Sequence, residues 1–185
     1  LLELDVTELG TGDTGEKRTD LLAFFLPSRS HPLVDHLGNG LYTDLIHFGG
    51  RPASIGYGAL TLIAWAALKR WRRARLWVLS ALTLALLALG SRLQINGQEL
   101  SRVWLPYRLL SPTLVGVALR HPFRLNLLLA LPISVLVALG MEDILTRLTP
   151  LRRKWAIAGI SLLLLFEYMA IPYPTTSPVF SPFYE

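Results

Sequence analysis

Hydrophobic positions along the chain fall into four long blocks separated by short polar links. The blocks cover residues 53–68, 76–91, 125–141 and 155–171. The second and fourth blocks carry almost no polar stripe at the 3.6-residue spacing of a soluble amphipathic helix. Each block would make roughly 24–26 Å of helix, against a bilayer core of about 30 Å. The pattern predicts four transmembrane helices; four core helices of a soluble bundle are the alternative.

The two links that join paired blocks are short and strongly basic. They contain Lys69, Arg70, Arg72, Arg73 and Arg75 in the first, and Arg147, Arg152, Arg153 and Lys154 in the second. Short links rich in lysine and arginine stay in the cytoplasm. Residues 1–52, 92–124 and 173–185 are therefore predicted to lie outside, which puts both ends of the chain on the extracytoplasmic side of the plasma membrane.

The regions outside the four blocks are predicted to be mostly irregular. The apolar stretch 109–119 is too short for a fifth span and favours an interfacial or re-entrant helix in the outward loop. Asn96-Gly97 predicts a tight turn, and Trp104 and Tyr107 suit the headgroup region. Residues 1–52 form an extracytoplasmic segment with a short strand within 1–9 and a short helix near 41–48. The sequence thus predicts an all-α integral membrane fold, with a transmembrane region over 53–172 and a further outward segment from 173.

Composition narrows the classes of partner and chemistry. The chain has 185 residues, 52% of them hydrophobic, and a net charge of +5. Half of the basic residues lie in the two links rather than on an aromatic-basic stripe, so membrane lipid is the predicted partner and nucleic acid is not. The absence of cysteine excludes disulfides and thiolate chemistry. The chain begins with Leu and is expected to be part of a longer protein.

The motif "LRHPFRL" is the strongest candidate for a binding site. Pro122 suits the first position of a helix, which places Arg124 in the first turn, where the helix dipole disfavours a cation. Arg120 and Arg124, with His121 between them, also lie on the predicted outer side, which the positive-inside tendency leaves poor in arginine. Guanidinium groups beside a helix N-terminus suit a phosphate, so we expect a lipid-phosphate site here. Two interfacial arginines contacting ordinary headgroups are the alternative.

Other polar residues give weaker signals. Glu167 lies near the outer end of the fourth block and is expected either to orient an outward arginine or to lie at the headgroups. The first 52 residues contain a loose cluster of His31, His36, His47, Asp35 and Asp44. Its spacing matches no metal-binding motif, so no metal site is assigned, and binding of a divalent cation is left as an open alternative. Gly56 and Gly58 are expected at helix-packing positions.

Several stretches, taken in order, resemble one known family. They are "DLLAFFLPSRSHPL", "IGYGALTLIAWAALKRWRR", "LPYRLLSP", "LRHPFRL" and "LLLLFEYMAIPYP". Together they are similar to the later transmembrane part of bacterial YfhO-like multipass membrane proteins, which are grouped with the GT-C glycosyltransferase superfamily. The resemblance runs from about Asp20 to the end of the chain and is sharpest at Arg120, Pro122 and Arg124.

This resemblance implies a function that the residues alone do not give. It implies a multipass protein that transfers a sugar from a polyprenyl-phosphate carrier to a cell-envelope acceptor at the outer face. The catalytic acid would be an aspartate upstream of Leu1, so no catalytic residue is assigned within the chain. The segment "GGRPASIGYG" departs from the family in lacking an acidic residue. A non-enzymatic membrane protein, for lipid handling, transport or scaffolding, is the alternative.

Overall fold

The computed structural model describes residues 18–27, 31–32, 53–113 and 121–169. The first element within these residues is a 3-10 turn at Leu21–Phe24, and a further 3-10 turn at Pro122–Arg124 leads into the longest of the described helices. The regular elements are α1 (Tyr57–Lys69), α2 (Trp71–Ala88), β1 (Arg92–Ile95), β2 (Gln98–Trp104), α3 (Tyr107–Leu110), α4 (Leu125–Thr146) and α5 (Pro150–Glu167).

Helix α4 is the centre of the helical layer. It packs extensively against both α1 and α2, whereas α5 lies against α1 and touches α4 less. The α1–α4 contact depends on Gly140, because a Cβ there would lie well inside van der Waals distance of the Leu62 carbonyl group. The helix is continuous through Pro132, which is buried. Backbone-to-backbone contact of this kind requires a residue without a side chain.

The outward loop of the sequence prediction contains a β-hairpin. Strands β1 and β2 pair antiparallel, with Leu93 opposite Leu100 and Ile95 opposite Gln98. Asn96 and Gly97 connect them with φ angles of 51° and 75°, the pair of positive values that a type I′ turn requires. The predicted tight turn is confirmed, but the all-α prediction is wrong.

A small hydrophobic core lies where the hairpin meets the helices. It joins the 3-10 turn, the end of α2 and the start of α4 through the buried side chains of Phe24, Ala88, Leu89, Leu105, Leu125 and Leu129. Residues before α1 also add to this region, since Ala53 and Ile55 donate backbone hydrogen bonds to Ala23 and Phe24 over 3.2 and 3.0 Å. The N-terminal segment is thereby fixed against the helical layer.

The prediction of four membrane spans is wrong. Each predicted span overlaps a helix, but among the described residues only Pro122–Thr146 is long and apolar enough to cross a membrane. Helix α1 has 13 residues, about 20 Å of helix, which is too short for a bilayer core. Helices α2 and α5 have 18 residues each, but their first turns are basic. The described structure is a helical layer with one candidate membrane helix and an antiparallel hairpin.

Several predicted elements lie wholly or partly outside the described residues. These are the strand within 1–9, the helix near 41–48 and the segment 173–185. The predicted interfacial helix over 109–119 is described only up to residue 113, where the structure has the single turn α3. Of the two aromatic residues predicted at the headgroups, Trp104 is exposed, whereas Tyr107 is buried inside the protein.

Candidate functional site

The helical layer has two chemically different ends. The end at which α1 and α4 finish and α2 and α5 begin carries both basic links, and we call it the basic end. The opposite end carries the hairpin, the 3-10 turns, the start of α1 and the end of α5, and we call it the hairpin end. Arg124 lies at the hairpin end, separated from the basic end by the 22 residues of α4.

A buried carboxylate organises the basic end. Asp143, on α4, is 3% exposed and accepts hydrogen bonds from Trp65 Nε1 at 3.0 Å and Arg70 Nε at 2.6 Å. Arg147 NH2 lies 2.9 Å from the same carboxylate. One arginine comes from each basic link, so Asp143 holds the two links together. Sequence reasoning missed this residue, although an acid between two basic links was a usable signal.

A second buried carboxylate organises the hairpin end. Asp20 has no exposed surface, and its two oxygens accept hydrogen bonds from the backbone N–H groups of Leu22 and Gly97, each at 2.8 Å. The first bond caps the 3-10 turn and the second fixes the hairpin turn. Asp20 was also missed, because its partner Gly97 lies 77 residues away in the sequence.

Neighbouring residues extend this attachment of the N-terminal segment. The backbone N–H of Thr19 donates to the carbonyl of Ala88 at 3.0 Å, and its hydroxyl accepts from Asn126 Nδ2 at 2.9 Å. Arg18 and Arg92 both pair with Glu99, at 2.8 and 2.5 Å. The hydrogen bond from Arg92 and the charge of Arg18 lower the pKa of Glu99 against an opposing effect of desolvation. The carboxylates of Asp20 and Glu99 thus both stabilise the fold of this region.

Of the two predicted phosphate ligands within the described residues, Arg124 has the exposed side chain. It is the last residue of the 3-10 turn and the N-cap of α4, which begins at Leu125 rather than at Pro122. It makes no ion pair with any described residue. His121 is partly buried in the same turn, with its ring 6.1 Å from that of Phe123. Arg120 lies outside the described residues.

Glu167 has a role that neither predicted alternative included. Its Oε1 accepts a hydrogen bond from the backbone N–H of Gly58 at 2.7 Å, so it satisfies a donor in the first turn of α1. A Cβ at Gly56 would lie 2.7 Å from Oε2 of Glu167, and one at Gly58 would lie 3.1 Å from it. The absence of side chains at Gly56 and Gly58 therefore leaves room for the Glu167 carboxylate, which is consistent with their predicted packing role.

The residue after Glu167 reinforces this contact. The Tyr168 hydroxyl donates to the carbonyl oxygen of Ile55, just before α1. Desolvation, with a smaller contribution from the charge of Glu167, raises the pKa of Tyr168. The end of α5 is therefore bound to the start of α1 by two neighbouring side chains.

The loose histidine and aspartate cluster gives no metal site among the described residues. His31 is 4% exposed, and its Nε2 lies 2.9 Å from the carbonyl oxygen of Phe166. Its ring meets the Phe166 ring edge-on, with centroids 5.1 Å apart. His31 therefore packs against the end of α5. The other members, His36, His47, Asp35 and Asp44, lie outside the described residues.

Large apolar side chains cover the outer faces of the helical layer. Exposed examples are Leu76, Leu79, Leu82 and Leu86 on α2, Leu127, Leu128 and Leu131 on α4, and Trp155, Leu162, Leu163 and Leu165 on α5. Leu127 is 81% exposed and Leu162 is 70% exposed. None of the residues of α5 is buried. Exposure of so many large apolar side chains is typical of a site of contact with a membrane or another protein.

Comparison of the chain with known protein families, curated proteins and solved structures found no match. The resemblance to YfhO-like proteins stays a prediction.

Proposed function

We propose that the protein acts at a lipid bilayer. The observation that carries this proposal is the set of exposed leucines on three helices. Contact of so much apolar surface with water is unfavourable, whereas contact with lipid is not. Helix α4 is the candidate membrane helix, and the apolar faces of α2 and α5 contact lipid beside it. The basic end lies towards the cytoplasm of a plasma membrane, in keeping with the preference of arginine and lysine for that side.

At the opposite, outer face, we propose that Arg124 contributes to binding the phosphate of a polyprenyl-linked sugar. Three features support this role: its exposure, its position at the start of α4, and its lack of an ion pair among the described residues. A guanidinium group and the first free N–H groups of a helix both favour a phosphate. His121 and Arg120 belong to the same proposed element.

The reaction that this site would serve is sugar transfer to a cell-envelope acceptor. Departure of a phosphate-linked carrier requires stabilisation of negative charge, which Arg124 could supply without a covalent intermediate. The catalytic acid would come from outside the described residues. The resemblance to the glycosyltransferase superfamily is the support for this step.

A non-enzymatic role in lipid handling, transport or scaffolding is the second candidate, and one observation favours it. The described acids of the hairpin end are all bound to other groups of the protein. Asp20 and Glu167 accept backbone hydrogen bonds, and Glu99 pairs with two arginines. Each of these three carboxylates is thus held by a group other than Arg124.

Binding of a polyprenyl phosphate to the full-length protein in lipid nanodiscs tests the phosphate site. We expect Arg124→Ala to weaken binding of the phosphate by about 10-fold or more, the effect of losing one charge-assisted hydrogen bond. Binding of the corresponding polyprenol, which lacks the phosphate, should not change. The matched control is Arg102→Ala, which removes another exposed arginine of the hairpin end. Equal phosphate binding by all three proteins would contradict the role of Arg124.

A transfer assay separates the two candidate functions. If the full-length protein transfers sugar from the carrier, Arg124→Ala should reduce the rate while Arg102→Ala leaves it intact. Phosphate binding that depends on Arg124, in a full-length protein that transfers no sugar, would favour the lipid-handling role.

A further inference from the structure

The cations of the basic end divide into two groups. Arg70 and Arg147 are bound to Asp143, Lys69 lies over the Trp65 ring, and Arg73 lies 4.0 Å from Glu142. A second group has exposed side chains and makes no ion pair with any residue that the structure describes: Arg72, Arg75, Arg152, Arg153 and Lys154. These five cations are therefore available to an external anion.

Exposed apolar side chains lie directly beside the five available cations. Trp71 is 53% exposed and Leu76 is 68% exposed at the start of α2. Leu151 and Trp155 are 69% and 74% exposed at the start of α5. A tryptophan next to a row of cations at the edge of an apolar face is the arrangement of a membrane–water interface. The available cations thus lie at the level where headgroups would meet the apolar surface.

The local fold leaves this charge uncompensated. Neither α2 nor α5 has an acidic residue in its first turn, although the positive end of the helix dipole lies there. Positive side chains at two adjacent helix starts repel one another and the dipoles. An external layer of negative charge would relieve this repulsion.

We propose that the basic end binds anionic phospholipid in the leaflet that it contacts, an inference that rests on the proposed action at a bilayer. The phosphates of anionic headgroups would contact Arg72, Arg75, Arg152, Arg153 and Lys154, while the acyl chains of these lipids continue along the exposed leucines. The joint presence of cations and large apolar side chains distinguishes this partner from a nucleic acid or an acidic protein. Asp143 supports the surface by holding the two basic segments side by side.

Vesicle flotation tests the proposal with phosphatidylcholine vesicles and with vesicles that also contain phosphatidylglycerol, each at low and at high salt. We expect the wild-type protein to bind both, and to bind more tightly when phosphatidylglycerol is present at low salt. Each cation near an anionic membrane contributes about fivefold in affinity. Arg72→Gln/Arg75→Gln and Arg152→Gln/Arg153→Gln should therefore each lose roughly 10- to 30-fold of the phosphatidylglycerol-dependent affinity.

Two further variants make the test specific. Arg102→Gln/Arg108→Gln removes the same charge from exposed positions of the hairpin end and should keep the response to phosphatidylglycerol. Arg152→Lys/Arg153→Lys keeps the charge at the basic end and should keep the response too. An equal loss in the hairpin-end control, or no response to phosphatidylglycerol in the wild type, would overturn the anionic-lipid proposal alone. Failure of the wild type to bind either kind of vesicle would overturn the bilayer proposal itself.

Discussion

Asp20 at the hairpin end and Asp143 at the basic end are both buried carboxylates, but they have different kinds of partner. Asp20 accepts from two backbone N–H groups, whereas Asp143 accepts from one tryptophan and two arginine side chains. Glu167 extends the first pattern, since it also accepts from the backbone. Asp20 and Glu167 at the hairpin end satisfy main-chain donors, whereas Asp143 at the basic end balances charge.

This difference predicts how each end responds to change. A backbone N–H cannot move to water without moving the chain, so loss of its acceptor leaves a buried donor unsatisfied. The side chains of Arg70 and Arg147 are 33% and 59% exposed, and they can turn to solvent if Asp143 is removed. We therefore expect the hairpin end to be the less tolerant of the two.

Removal of Asp20 should have the largest effect. Asp20→Ala deprives two backbone donors of a charged acceptor, and we expect a loss of about 3–5 kcal/mol in the free energy of unfolding. Asp20→Asn retains one acceptor oxygen and should lose roughly half as much. Denaturant unfolding in detergent micelles measures both. Equal stability of Asp20→Ala and wild type would show that these two hydrogen bonds do not hold the hairpin end together.

An intermediate effect is expected at Gly140, where α1 and α4 approach one another near the basic end. Gly140→Ala places a methyl group against the Leu62 carbonyl and should cost about 1–3 kcal/mol through overpacking. Gly159→Ala is the matched control, because a Cβ at that position of α5 meets no atom within 4 Å. The control should be neutral or slightly stabilising, since alanine favours a helix over glycine. Parallel unfolding curves of the two variants provide the comparison, and equal effects would contradict the close α1–α4 contact.

The smallest effect is expected at Asp143. Asp143→Asn keeps an acceptor for Trp65 and removes the charge that pairs with Arg70 and Arg147, so the midpoint of thermal unfolding should fall by less than in Asp20→Ala. Its neighbour supplies the control, because Glu142 is exposed and 4.0 Å from Arg73. Glu142→Gln should leave the midpoint unchanged. A larger loss for Asp143→Asn than for Asp20→Ala would reverse the ranking of the two ends.

The positions of the main helices could be predicted from the sequence, but their lengths and number of spans could not. Apolar runs identified the four helices because lipid-facing and core helices share such runs. The basic stretches were assigned to links, whereas the structure extends α2 and α5 backwards through them, from Trp71 and from Pro150. Arginine and lysine are good helix formers, so the change from basic to apolar residues did not mark the start of either helix.

The hairpin and the buried acids show a second limit. The Asn96-Gly97 turn was predictable because few dipeptides adopt two positive φ angles. The contacts of Asp20 with Gly97 and of Asp143 with Arg70 were not, since each joins residues more than 70 positions apart. Arg124 was found from its motif alone, and its exposure is consistent with the proposed phosphate site.

The attachment of Thr19 and Asp20 has a consequence for how the protein is made. Thr19 contacts Asn126, which lies 107 residues further along the chain. At about 5–20 residues per second, a ribosome needs roughly 5–20 s to add that stretch. Until this interval ends the Thr19 hydroxyl lacks its partner Asn126, although α1, α2 and the hairpin turn are completed within it. We expect the N-terminal segment to be protected from a protease only after the start of α4 has left the ribosome.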